Sequence, residues 1–169
     1  IEALGKYPKL QKADIIVNVQ GDPPCTSPEA IESTIKLLRE DRKAAMATAA
    51  IRFTDEKMFF SPHVVKCVLD QNQNALYFSR APIPYSREKG VPKEALHHIG
   101  LYVYRTSFLL SSLGRIKTPL QIEEDLEQLQ VLEKGFTIKV ALIEDPPIGI
   151  DTPEDLVGFE QYLKKIKGG

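Results

Sequence analysis

The chain has 169 residues, with 22 Lys and Arg against 23 Asp and Glu, a net charge of −1. That balance excludes broad electrostatic attachment to nucleic acid or an anionic membrane. The 43% hydrophobic and 27% charged residues exclude a disordered chain. A chain of this length buries about two-thirds of the surface it exposes unfolded, so a single domain over 1–169 can hold a core without staples. Cys25 and Cys67 make neither a CxxC pair nor a disulfide framework, which points to a reducing cytoplasm. No apolar run approaches about 20 residues, the length of a membrane span, and the opening residues do not read as a signal peptide.

Residues 1–4 (IEAL) read as the end of a helix, with Gly5 as its stop. Asp14 to Val19 is an apolar, β-branched run that ends at Gly21-Asp22-Pro23-Pro24, a buried strand running into a turn. Ser27 followed by Pro28 predicts a helix start, and Ile31, Ile35 and Leu38 recur at helical spacing behind it. A strand is expected over 45–51 and a short helix over 55–60. Residues 64–69, a polar turn at 70–74 and residues 75–78 read as a hairpin.

Pro82 and Pro84 make 81–92 a loop. His98 to Tyr104 alternates as a strand, with Ile99, Leu101 and Val103 on one face and His98, Gly100, Tyr102 and Tyr104 on the other. Ile122, Leu126, Leu129 and Leu132 predict one helix ending at Gly135, and 137–143 predicts a strand. Thr152-Pro153 with Asp155 predicts a capped final helix. Strand and helix alternate at both ends, so the fold class is α/β: a parallel sheet with a strand-rich, antiparallel middle.

In open α/β sheets, ligands gather beyond the carboxyl ends of the strands. Asp22 and Asp151 follow two such strands, and paired carboxylates facing phosphate are a usual way to hold Mg²⁺. Their plain reading is a turn former and an acid at a helix start. Arg80, at the end of an apolar run, suits an anion or a carboxylate, or is simply solvated. His98 beside Tyr102 and Tyr104 reads either as a polar ligand wall or as a satisfied structural histidine. Glu123, Glu124, Asp125 and Glu127 read as a solvated acidic helix face. There is no HExxH, GxSxG or P-loop.

The segments VNVQGDPP (17–24), VVKCVLD (64–70), ALYFSRAPIPY (75–85), HIGLYVYR (98–105), EDLEQLQVLEKG (124–135) and GIDTPEDL (149–156) occur in one order. Together they resemble the 3-deoxy-manno-octulosonate cytidylyltransferases. The resemblance implies a Rossmann-like nucleotidyltransferase fold, with a mixed sheet flanked by helices and a small antiparallel excursion. It implies Mg²⁺-dependent transfer of CMP from CTP to the octulosonate, releasing pyrophosphate, in a bacterial cytoplasm and on the way to lipopolysaccharide.

By the same resemblance, Asp22 and Asp151 are the Mg²⁺ ligands and catalytic residues. Gln20, Arg80, His98, Tyr102, Glu127 and Gln128 face the sugar acid, and the protein is a homodimer. Pro23, Gln121, Gln130 and the run Ser61-Pro62-His63 depart from the family pattern. The family's opening phosphate-gripping loop has no match, so the chain is expected to be the C-terminal two-thirds of such an enzyme. Two alternatives accompany that reading: a non-catalytic remnant that folds and dimerises, or a cytidylyltransferase for another sugar acid such as sialic acid.

Overall fold

The computed structural model describes residues 2–20, 26–88, 90–111 and 116–144, with residues 157 and 159. Asp22, Asp151, Pro23 and the Thr152-Pro153 helix start lie outside the described residues. Among the described residues, six strands join one mixed sheet: β1 (Ile15–Val19), β2 (Ala44–Arg52), β3 (Lys66–Leu69), β4 (Ala75–Ser79), β5 (Leu96–Arg105) and β6 (Thr137–Leu142). The order is β4-β3-β5-β2-β6, and β1 also pairs with β5. Arg105 down to Leu101 of β5 faces β1, while Leu96 and His97 face β3, so β1 and β3 share the same flank of β5.

The mixed α/β sheet that the motif resemblance implies is present, with a smaller parallel part than strand and helix alternation suggests. Strands β1, β2 and β6 run in one direction, but β5 lies antiparallel between β1 and β2, leaving β2–β6 as the parallel pairing among the described residues. Seven consecutive buried residues in β2 show why its sequence is small and apolar: both of its faces are covered.

Helix α1 (Glu2–Lys6) runs through Gly5 rather than stopping there. Helix α2 (Pro28–Glu40) starts as predicted. The Ala30 amide donates to Ser27 Oγ at 3.1 Å, and Pro28 spends no amide in the first turn. Ala30 and Leu38 pack onto Ala47, Ala49, Leu101 and Val103, closing one side of the sheet. The other side holds the larger core, where Phe78, Met46, Leu129, Val131, Ile138 and Val140 meet Phe108. The two predicted faces of β5 therefore look into two different cores.

Arg105 ties α2 to the sheet by donating to the carbonyls of Leu38, Ala44 and Asp41. The 70–74 turn is an Asx turn in which Asp70 Oδ1 accepts the amides of Asn72 and Asn74, each at 2.8 Å. Its tip docks on β6: the Val140 amide donates to Gln73 O at 2.9 Å, and Lys139 Nζ to Asn72 O at 2.6 Å.

Helix α3 (Glu56–Phe60) is capped by Asp55. Helix α4 (Thr106–Ser111), directly after β5, has no counterpart in the sequence reading. The predicted single helix over 122–132 is two: α5 (Pro119–Glu124) and α6 (Leu129–Glu133). Asp125 adopts a left-handed conformation (φ 51°) between them, and Ile122 is 63% exposed instead of buried. Helical spacing alone cannot distinguish one continuous helix from two pieces in similar phase.

Candidate functional site

The strands that lead toward Asp22 and Asp151 leave the sheet near each other. Val19, the last residue of β1, sits opposite Leu101, while Leu142 of β6 lies opposite Ala50, which in turn faces His98. Both strands thus end at the level of residues 98–101 of β5. This is the carboxyl edge for β1, β2 and β6, where side chains from the strand ends and the following loops can converge on a ligand.

Gln20 continues β1 and lies against Gly100. A Cβ at Gly100 would meet Gln20 Cγ at 3.3 Å, so glycine there leaves room for the glutamine stem. Along the same face of β5 runs an aromatic series: Phe78 to His98 at 5.0 Å between ring centroids, His98 to Tyr102 at 5.6 Å and Tyr102 to Tyr104 at 6.1 Å. The Tyr102 hydroxyl donates to Gln128 Oε1 at 3.5 Å. Gln128, just before α6, is 3% exposed, and its amide nitrogen is buried without a partner. Nature rarely leaves such a donor unpaired, because desolvation costs about 1–3 kcal/mol when no bond replaces water.

His98 is 6% exposed, and its Nε2 lies 2.8 Å from Thr48 Oγ1. Burial pushes its pKa down to about 3, with His97 adding to the shift, so the imidazole is neutral at physiological pH. The Tyr104 hydroxyl is pushed up by burial first, then by Tyr102 and Glu127. Glu127 is exposed, and its charge is felt at the Tyr104 hydroxyl.

Arg80 ends the β4 hairpin arm two residues after Phe78, and it is not a freely solvated arginine. Its Nε donates to Glu124 O at 2.8 Å, Nη1 to Pro62 O at 3.2 Å and Nη2 to Asp125 O at 3.4 Å. The Glu124 carboxylate accepts the Ser79 hydroxyl at 2.6 Å and the Arg80 amide at 2.8 Å. The left-handed Asp125 makes this possible, because ending α5 there releases Glu124 O and Asp125 O from helical bonding.

Beneath the strand end, Lys66 is fully buried, with Nζ donating to Ser61 O at 2.8 Å, Val64 O at 2.6 Å and Arg80 O. Burial lowers its pKa, the Glu124 charge opposes that shift, and Arg80 adds to it.

The structure therefore gathers Gln20, His98, Tyr102 and Gln128 on one polar face, with Arg80 held at the end of the neighbouring hairpin. Thr48, Ser79, Glu124 and Lys66 were not singled out from the sequence for the work they do. Thr48 carried one readable signal, a lone hydroxyl inside the apolar run AAMATAAI. Glu124 carried none, being one acid among four. Among the described residues, no group of three or more His, Cys, Asp or Glu side chains could hold a metal.

A mixed sheet with polar side chains gathered at the carboxyl edge of its parallel-running strands fits the frame of the nucleotidyltransferases. A family pattern described as Cytidylyltransferase matches residues 1–141, and the chain belongs to that family. It is 45% identical over 166 residues to a 3-deoxy-manno-octulosonate cytidylyltransferase of Protochlamydia amoebophila (strain UWE25), covering 97% of this chain and 64% of the relative. A Geobacter metallireducens (strain ATCC 53774 / DSM 7210 / GS-15) enzyme of the same name is 46% identical over 165 residues, covering 92% and 65%.

A solved CMP:2-keto-3-deoxy-manno-octonic acid synthetase complexed with CTP superposes with a TM-score of 0.84 at 30% identity, covering 97% of this chain and 66% of that one. A 4-diphosphocytidyl-2C-methyl-D-erythritol synthase from Anaerococcus prevotii DSM 20548 shares the fold alone. Its TM-score is 0.54 at 16% identity, with coverage of 97% of this chain and 67% of that one. The chain spans just under two-thirds of the length of the curated relatives it matches.

Proposed function

We propose that this protein transfers CMP from CTP to 3-deoxy-manno-octulosonate in a bacterial cytoplasm, as a homodimer, supplying an activated sugar for lipopolysaccharide. The observation that carries the reading is Gln128: a buried amide without a partner, 3.5 Å through its carbonyl from the Tyr102 hydroxyl. A polyhydroxylated ligand would complete its hydrogen bonds. The relatives' names and the complex with CTP support the identity of the two substrates.

In this reading Gln20, Gln128 and Glu127 orient sugar hydroxyls, His98 offers a neutral ring nitrogen, and Tyr102 holds Gln128 in register. Arg80 meets the sugar carboxylate with the guanidinium edge that its backbone carbonyl partners leave open. The anomeric hydroxyl oxygen attacks the α-phosphorus and gives its proton to water, while the bond from the α-phosphorus to the oxygen bridging it to the β-phosphorus breaks and pyrophosphate leaves. Holding both reactants in line supplies much of the rate by converting their encounter into an effectively unimolecular step.

Asp22 and Asp151 would hold Mg²⁺, which when bound neutralises triphosphate charge and assists ionisation of the hydroxyl. The donor set fits a hard cation, and the strands preceding the two residues end at one edge of the sheet.

Pyrophosphate release by the protein expressed from its natural gene tests the proposal. Release is expected only with CTP, Mg²⁺ and the octulosonate together. Equal release with sialic acid, or release indifferent to the sugar, would sink the acceptor assignment.

A further inference from the structure

The β2–β5 ladder slips between Thr48, which faces Tyr102, and Ala49, which faces Ile99, so that Gly100 and Leu101 form a bulge in β5. A bulge leaves carbonyls without ladder partners, and one fully buried hydroxyl fills this one. Thr48 Oγ1 lies 2.7 Å from Leu101 O, 3.2 Å from Ile99 O and 2.8 Å from His98 Nε2.

A threonine hydroxyl has one proton to give and lone pairs to receive. The two carbonyls can only accept. If Nε2 carried a lone pair, the single hydroxyl proton would have to serve it. Leu101 O would then face a hydroxyl oxygen at 2.7 Å with no hydrogen between them. If Nε2 carries the proton, His98 donates to Thr48 and Thr48 donates to Leu101, so the two shortest contacts each hold a hydrogen and the longer one to Ile99 O at most shares the threonine proton.

We infer that Thr48 is a positioning residue that locks His98 as the Nε2–H tautomer and turns its Nδ1 lone pair toward the ligand site. Among the described residues, no hydrogen-bond partner meets Nδ1. A neutral ring so fixed is an acceptor for a ligand hydroxyl and takes no part in proton transfer. The depressed pKa of His98, caused first by burial, agrees with a ring that stays neutral. The tautomer lock stands on the contacts alone; its purpose, a hydrogen bond to the octulosonate, rests on the function proposed above.

Nitrogen NMR of protein labelled at its histidines tests the lock directly, with octulosonate titration as the second readout. Wild type and Thr48→Ser are expected to show a single Nε2–H tautomer for His98. Thr48→Val keeps the shape, removes the hydroxyl, and is expected to populate the other tautomer and bind the octulosonate about 10-fold more weakly, the worth of one hydrogen bond. An Nδ1–H tautomer in wild type, or an unchanged Nε2–H tautomer in Thr48→Val, would overturn the lock. The wild-type spectrum decides the matter by itself if the valine variant does not fold. A changed tautomer with full octulosonate affinity would uphold the lock and overturn the placing of His98 at the sugar.

Discussion

At single residues, the cost of burying a polar group can be weighed against the role proposed for it. Gln128 buries an amide nitrogen with no partner, a cost of about 1–3 kcal/mol that an apolar side chain of similar size would avoid. Gln128→Met is therefore expected to leave the thermal midpoint unchanged or raised while lowering octulosonate affinity at least 10-fold. A fall in the midpoint together with intact affinity would return Gln128 to a structural role. Lys66 is the opposite case, because its three carbonyl partners lie inside the protein. Lys66→Met strands those acceptors and is expected to cost about 3 kcal/mol in urea unfolding. A loss below about 1 kcal/mol would mean that water replaces the ammonium.

Among the elements, the break between α5 and α6 decides where Arg80 points. Glu124 accepts from Ser79 and from the Arg80 amide, so Glu124→Gln puts an NH₂ group against one of those two donors. The expected result is octulosonate affinity lowered about 10-fold with CTP affinity unchanged, and an equal loss for both substrates would contradict a role through Arg80. Ser27→Ala serves as contrast: losing the α2 cap should cost about 1 kcal/mol of stability and leave octulosonate affinity alone.

The sequence made the Ser27 cap, the hairpin and the alternation of β5 legible, because each depends on neighbours in the chain. It hid the α5–α6 break. Ile122, Leu126, Leu129 and Leu132 keep helical spacing across a left-handed residue, and no local signal at Asp125 announces it. The work of Thr48 and Glu124 was hidden for another reason: their partners lie about 50 and 45 residues away. Motif resemblance named Gln20, Arg80, His98, Tyr102, Glu127 and Gln128 together, a grouping that spacing alone does not suggest. The proposal of Asp22 and Asp151 as Mg²⁺ ligands rests on that resemblance.

For the whole molecule, acid should act first through histidine. His98 binds its proton near pH 3 when folded against 6.5 as a free side chain, and His97 is shifted the same way by burial and by Lys66. Below about pH 6.5 the unfolded chain therefore holds more protons than the folded one, so stability falls as pH drops toward 3; above 6.5 this contribution is complete. Asp41, Asp70 and Glu133 titrate low in the fold and matter only under their ordinary values near 4. Urea midpoints are expected to decline between pH 7 and pH 5, and a flat profile across that interval would contradict a buried neutral His98.

The product of the proposed transfer is the most direct observable. Phosphorus NMR of the natural gene product, incubated with CTP, Mg²⁺ and 3-deoxy-manno-octulosonate, is predicted to show a CMP–sugar phosphodiester and pyrophosphate rising in equal amounts. Pyrophosphate without the phosphodiester, or no change in the CTP resonances, would contradict it.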